Sequence, residues 1–211
     1  LKLKIILRSI LRRLGVSKML VQFFYPNGYE KSFDDAMFGA IKLGDIIWDV
    51  GANVGYYTVK FAEATGEGGA VHGFEPIPET FDMLKKTTIG HGNITLSCFA
   101  LGRIDNNLPI TNDTNLGSPT NKILVGDGRS SDQNTISIKV RSGDSLVNSG
   151  ELEIPNFIKL DVEGHEKDAV SGMTDLFKDQ KLRVVAIEIH FALLEERGLR
   201  DAPSDIVADL R

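Results

Sequence analysis

The sequence predicts an α/β domain: a mostly parallel sheet with helices on both faces. Three observations carry that prediction. Short apolar runs of strand length alternate with helix-length segments from Asp45 onward. A glycine-bearing turn, Asp49 to Gly55, joins the first of these strands to its helix. Ionisable residues then gather at the carboxyl ends of later strands, the edge where ligands bind in open α/β sheets. A length of 211 residues suits one such domain with a sizeable core.

Before the alternation begins, LKLKIILRSILRRLG has helical periodicity. Leu3, Ile6, Leu7, Ile10 and Leu14 share one face, while Lys4, Arg8 and Arg12 share the other. Two readings stand for this basic helix: peripheral contact with an anionic membrane or a partner, or a cap on the domain with its charged face in water. The second is the default for amphipathic helices. Pro26-Asn27-Gly28 then reads as the turn of a hairpin, and a helix follows from about Asp34 to Ile41.

The alternating elements come next. Asp45–Val50 is a buried strand and Tyr56–Ala64 a helix; Ala70–Phe74 is the second strand. Pro78–Thr88 is a helix opened by proline in its first turn. Ile94–Ala100, Phe157–Val162 and Val184–His190 are further strands, with a helix from Glu166 to about Phe177. The stretch from Gly102 to Thr135 is rich in Asn, Asp, Gly, Ser and Thr and too long for a routine connection. Leu108–Ile110 and Ile123–Val125 suggest small strands within it. It is either a pocket-shaping insertion or a surface loop. Residues 1–43 thus form a lead-in, and 44–211 the main domain with an insertion at about 102–135.

Composition narrows the class. Hydrophobic residues make up 42% and charged residues 25%, ordinary for a globular protein. A net charge of −5 gives no reason to expect a nucleic-acid partner. Cys98 is the single cysteine, so no internal disulfide forms, which fits a cytoplasmic setting. The glycosylation sequons at Asn93 and Asn112 are read as chance matches.

The chemistry concentrates at three places. In Asp49-Val50-Gly51-Ala52-Asn53-Val54-Gly55, Gly51 and Gly55 let a ligand approach the backbone, and the helix start offers free N–H groups. The spacing is not the dinucleotide fingerprint G-x-G-x-x-G, because Asn53 stands where its second glycine would fall. Glu75, in Gly73-Phe74-Glu75-Pro76, ends the second strand and is placed to accept hydrogen bonds from two ribose hydroxyls. Finally, Phe157 to Glu166 runs from a buried strand into Asp161, Glu163, Gly164, His165 and Glu166. His165-Glu166 does not begin a zinc-protease motif, since position 169 is alanine.

In this order the three pieces resemble the FkbM family of methyltransferases. The matching stretches are IIWDVGANVGYYTVKFAE, VHGFEPIPETFDMLKK, CFALG at Cys98–Gly102, ISIKVRSGDSLV, FIKLDVEGHEKDAVSGM and IEIH at Ile187–His190. The resemblance covers about Gly44 to His190 and implies a Rossmann-like class I methyltransferase fold. It implies S-adenosyl-L-methionine as methyl donor and O-methylation of a hydroxyl on a glycan or small natural product. Asp49, Gly51, Asn53 and Gly55 would then cradle the methionine half, Glu75 would hold the ribose, and Tyr56 and Pro76 would also contact the cofactor. Phe99, Ala100 and Leu101 would line the adenine, and Asp161 would stand beside the sulfonium.

Transfer to a hydroxyl requires a group that takes its proton. Asp161, Glu163, His165, Glu188 and His190 are the candidates, with Asp161, His190 and Glu163 foremost. The same carboxylates could instead hold a divalent metal, although no octahedral ligand set is evident and no metal is assigned. Class I methyltransferases close their sheet with two more strands, whereas this sequence reaches Arg211 in a helix-like segment from about Pro203. The C-terminal hairpin is therefore expected to be missing. A nicotinamide-dependent oxidoreductase or epimerase, and a non-catalytic fragment of the same fold, are the alternatives.

Overall fold

The computed structural model describes residues 29–111 and 135–210. The basic helix, the Pro26-Asn27-Gly28 turn and the Ile123–Val125 segment lie outside them. The described part opens with α1, Tyr29–Ala40. The expected hairpin arm after Gly28 is therefore helical instead. Phe33, Met37, Phe38 and Ile41 recur at helical spacing and pack with Tyr57 and Phe61. That burial outweighs the local turn signal.

Five strands form one parallel sheet: β1 (Ile46–Val50), β2 (Ala70–Phe74), β3 (Ile94–Ser97), β7 (Phe157–Leu160) and β8 (Val184–Ile187). Their spatial order is β3-β2-β1-β7-β8. The chain starts in the middle, winds outward through β2 and β3, then returns to the other side. Helices α2 (Tyr56–Thr65) and α3 (Pro78–Thr87) connect the first three strands. Side-chain alternation divides the apolar residues between two faces. Ile47, Val71 and Phe157 meet Met37 of α1 and Phe61 of α2 on one face. Trp48, Phe74, Ile158 and Leu160 meet Leu146, Ala169, Met173 and Leu176 on the other. These latter residues lie on or beside α4 (Gly143–Asn148), α5 (Glu166–Ser171) and the 3-10 turn Leu176–Lys178.

Four further elements differ from the sequence expectation. The third strand does not run through Ala100. It stops at Ser97, and β4 (Ala100–Leu101) joins a second sheet with β6 (Thr135–Arg141) and β5 (Asn106–Thr111), in the order β4-β6-β5. The apolar run continues because Phe99 packs on Phe74, at 5.7 Å between ring centroids, while Leu101 enters the core. The expected short strand at Leu108–Ile110 lies within β5, antiparallel to β6.

The helix from Glu166 does not reach Phe177. It ends at Ser171, where Gly172 lies against the backbone of Gly102, and Asp144 then accepts from the N–H groups of Asp175 and Leu176. Likewise β7 and β8 are shorter than expected. Asp161 and Val162, and Glu188 to His190, fall beyond the ladder in irregular segments. After β8 come α6 (Phe191–Glu196) and α7 (Ala202–Asp209), and no strand follows β8 among the described residues. None of the described helices is long and apolar enough to cross a membrane.

Candidate active site

The carboxyl ends of β1 and β2 form the first half of the site. The N–H groups of Gly51 and Ala52 both donate to the Phe74 carbonyl, at 3.1 and 2.9 Å, folding the turn back over β2. Gly51 has φ +80°, and a Cβ there would stand 1.9 Å from the Asp161 carbonyl oxygen. Only glycine meets both conditions. Asn53 is exposed with φ 51°, a left-handed conformation that asparagine tolerates better than most residues. Gly55, at φ 96°, opens α2.

Glu75 closes this half. Its Oε2 accepts from the Asn53 N–H at 3.1 Å and its Oε1 from the Ile77 N–H at 3.0 Å. The side chain is buried, at 6% exposure. Burial pushes its carboxyl up to about 7 against the pull of the two N–H bonds, and the charges of Glu163 and Asp49 push the same way. Each oxygen keeps a further acceptor position for a hydroxyl donor. Neighbouring Pro76 is half-buried.

Beneath the turn, Asp49 is fully buried on β1 and accepts from the Thr58 hydroxyl at 2.6 Å. Its other oxygen, Oδ1, has no hydrogen-bond partner; the Lys159 ammonium stands 3.5 Å away, an ion pair rather than a short hydrogen bond. Lys159 also donates to the Gly51 carbonyl at 3.2 Å, stands 3.5 Å from Asp161 Oδ2, and lies 5.1 Å from the Tyr57 ring centroid. Burial alone would lower its pKa, but Asp49 and Asp161 reverse that and hold it above the ordinary lysine range. Asp49 thus braces the turn from beneath.

The ends of β7 and β8 form the second half. Asp161 leads into Val162 and Glu163, and Glu163 has φ 45°, uncommon for a residue of its size. Burial raises its carboxyl pKa, which nearby His190 lowers and Asp161, Glu166 and Glu188 raise. Glu166 is fully buried; its Oε1 accepts from the Gly164 N–H at 2.9 Å and faces His190 Nδ1 at 2.7 Å. His190 Nε2 stands 3.7 Å from Asp161 Oδ1. Burial disfavours the His190 cation, yet the Glu166 hydrogen bond and charge, with Asp161 and Glu188, hold its pKa above the usual value.

Of the candidate bases, Asp161, Glu163, Glu188 and His190 are therefore electrostatically coupled at one edge. His165 is held elsewhere. Its Nδ1 lies 3.2 Å from Asp168 Oδ2, where Arg197 also donates at 2.8 Å. The bond to His165 leads in depressing the Asp168 carboxyl to about 2, with Arg197 adding to it. Arg197 further donates to the Gly164 carbonyl, tying α6 to the turn that carries Glu163.

The remaining expected residues are dispersed. Tyr56 is exposed at the start of α2, with Lys60 donating to its hydroxyl. Phe99 and Ala100 are partly buried, whereas Leu101 sits in the core at 3% exposure. Sequence reasoning gave no role to Thr58, Lys159 or Glu166. A lysine in an otherwise apolar strand, parallel to one carrying Asp49, was the available signal for Lys159. No local pattern announces the Glu166–His190 pair, because 24 positions separate them. Among the described residues, no group of three or more His, Cys, Asp or Glu side chains could hold a metal ion.

The strand order and the two strand-end clusters are those of a Rossmann-like class I methyltransferase. The sequence profile of the methyltransferase FkbM domain matches residues 49–209, and the chain belongs to that family. It is 33% identical over 147 residues to the hexuronic acid methyltransferase AglP of Haloferax volcanii, covering 69% of this chain and 56% of that protein. It is 39% identical over 51 residues to the 31-O-demethyl-FK506 methyltransferase FkbM of Streptomyces tacrolimicus, covering 24% and 19% of the two. The chain thus spans about half the length of the first relative and a fifth of the second. The crystal structure of methyltransferase FkbM from Methylobacillus flagellatus KT superposes with a TM-score of 0.52 at 19% identity, over 80% of this chain and 38% of that one. That likeness is one of fold.

Proposed function

We propose that the protein transfers a methyl group from S-adenosyl-L-methionine to a hydroxyl of a glycan or small natural product. The observation that carries this reading is the Asn53–Glu75 pairing. A buried carboxylate, already seated on two backbone N–H groups, keeps two acceptor positions at the end of β2 beside a glycine turn. That donor–acceptor set fits a ribose diol, while the turn lacks the glycine spacing a pyrophosphate needs. Family membership supports methyl transfer, and the names of the two relatives support an acceptor of this chemistry.

The sulfonium of the bound donor supplies an electrophilic methyl group, so the protein has two tasks: alignment and proton removal. Asp49, Gly51, Asn53, Gly55 and Tyr56 form the methionine side, Glu75 and Pro76 the ribose side, and Phe99 and Ala100 the adenine side. Leu101 supports the adenine side from the core. Asp161 lies where the two halves meet, with Glu163 and His190 on the acceptor side. A base here contributes about 10²–10⁴-fold to the rate.

Titration calorimetry with S-adenosylmethionine, S-adenosylhomocysteine and NAD tests the reading. The first two are expected to bind and NAD is not. Binding of NAD alone, or of none of the three, overturns it.

A further inference from the structure

We propose that Glu166 is a positioning residue that holds His190 in one tautomer and so makes its Nε2 the proton acceptor of the transfer. This inference rests on the methyltransferase reading for its reaction and on geometry for its residues.

The geometry is directional. Glu166 Oε1 is 2.7 Å from His190 Nδ1. A carboxylate only accepts, so Nδ1 must carry the hydrogen and donate it. In the neutral imidazole this leaves the lone pair on Nε2. Nε2 is turned toward Asp161, at 3.7 Å from Oδ1, too long for a direct hydrogen bond. Asp161 is already engaged, with its other oxygen 3.5 Å from the Lys159 ammonium. Of the two foremost bases, His190 is the one whose accepting atom is fixed by a neighbouring side chain.

The charge on Glu166 has a use only if His190 becomes cationic. Anchoring the Gly164 N–H and the His190 Nδ1–H needs one acceptor oxygen, which a neutral glutamine also has. Instead a fully buried carboxylate is present, and its second oxygen, Oε2, has no hydrogen-bond partner. Such a group is costly as a tether. It is well suited to stabilise an imidazolium, the relation found in carboxylate–histidine pairs that serve a reacting hydroxyl.

The step balances. The acceptor O–H bond breaks and its proton passes to Nε2. The oxygen pair forms the new O–C bond, and the C–S pair leaves with the sulfur of the sulfonium donor. The charged groups around the resulting cation are Glu166 from α5, Asp161 and Glu163 from the turn after β7, and Glu188 at the end of β8.

Histidine-ring nitrogen NMR on the full chain tests the pairing without turnover. The signal is assigned through its loss in His190→Gln, because the chain has four histidines. In the wild type, neutral His190 is expected as the Nδ1–H tautomer, titrating above the ordinary histidine midpoint. In Glu166→Gln the midpoint is expected to fall by about one pH unit, the effect of losing an adjacent buried charge. A dominant Nε2–H tautomer in the wild type overturns the proposal even if Glu166→Gln fails to fold. An unchanged midpoint in Glu166→Gln overturns it as well. Calorimetry with S-adenosylhomocysteine separates this from the functional reading. Absence of binding to the wild type defeats methyl transfer while the tautomer still reports the pair. Binding lost only in Glu166→Gln would place Glu166 in the donor site and overturn a positioning role.

Discussion

The two halves of the site handle buried charge in opposite ways. At the ends of β1 and β2, each carboxylate has a local counterpart. Asp49 has the Thr58 hydroxyl and the Lys159 ammonium, and Glu75 has two backbone N–H groups. At the ends of β7 and β8, Asp161, Glu163, Glu166 and Glu188 crowd round His190; burial raises the Glu163 pKa, and the charges of Asp161, Glu166 and Glu188 add to that. The first arrangement holds a shape. The second stores a readiness to take up positive charge, which a proton acceptor requires.

Three perturbations press on that contrast, and the largest is steric. Gly51→Ala would set a methyl group 1.9 Å from the Asp161 carbonyl at a backbone φ of +80°. The expected cost is about 2–5 kcal/mol in denaturant unfolding, from left-handed strain and overpacking together. A near-neutral variant would mean that the first half is less rigid than its hydrogen bonds imply.

Glu75→Gln comes next. A carboxyl raised to about 7 in the folded state favours folding while protonated. That stability is present below the ordinary glutamate range and is lost as pH rises through about 7. The wild type is therefore expected to weaken between about pH 4.5 and 7.5 in a way that Glu75→Gln does not. The same variant is expected to bind S-adenosylhomocysteine about 10–100-fold more weakly, since hydrogen bonds to a charged acceptor contribute about 1.5–3 kcal/mol. Unchanged affinity in calorimetry would remove Glu75 from the ribose side.

The smallest effect lies behind the second half, at Asp168. Its folded pKa of about 2 means that its contribution is present above the ordinary aspartate range and lost as pH falls through about 2. With 41% of the side chain exposed, solvent screening limits this to about 0.5–1 kcal/mol. Asp168→Asn should be less stable than the wild type by that amount at pH 7, with the gap closing between about pH 4 and 2. A gap that persists at pH 2 would mean that the side chain acts by packing rather than by charge.

Legibility in the sequence followed how local each signal is. Strands β1, β2 and β7 were visible because their apolar runs are bounded by Gly44, Gly51 and Gly164 or by charged residues. The break at Cys98-Phe99 was not, since the chain stays apolar while changing sheets. The helical α1 was masked by a turn signal that packing against Tyr57 and Phe61 overrides. The placement of Asp49, Glu75 and Asp161 could be read because each lies at or just beyond the end of an apolar strand. The Glu166–His190 contact joins residues on different elements, and only the sheet order makes them neighbours.

The Lys159 ammonium, within 3.5 Å of Asp49 and Asp161 and bonded to the Gly51 carbonyl, has a consequence for descent. Replacing it alone strands two carboxylates, and replacing Asp49 alone upsets a balance inside the protein. Single substitutions within the trio are therefore expected to pass through less stable intermediates, which favours joint replacement of these residues over stepwise change.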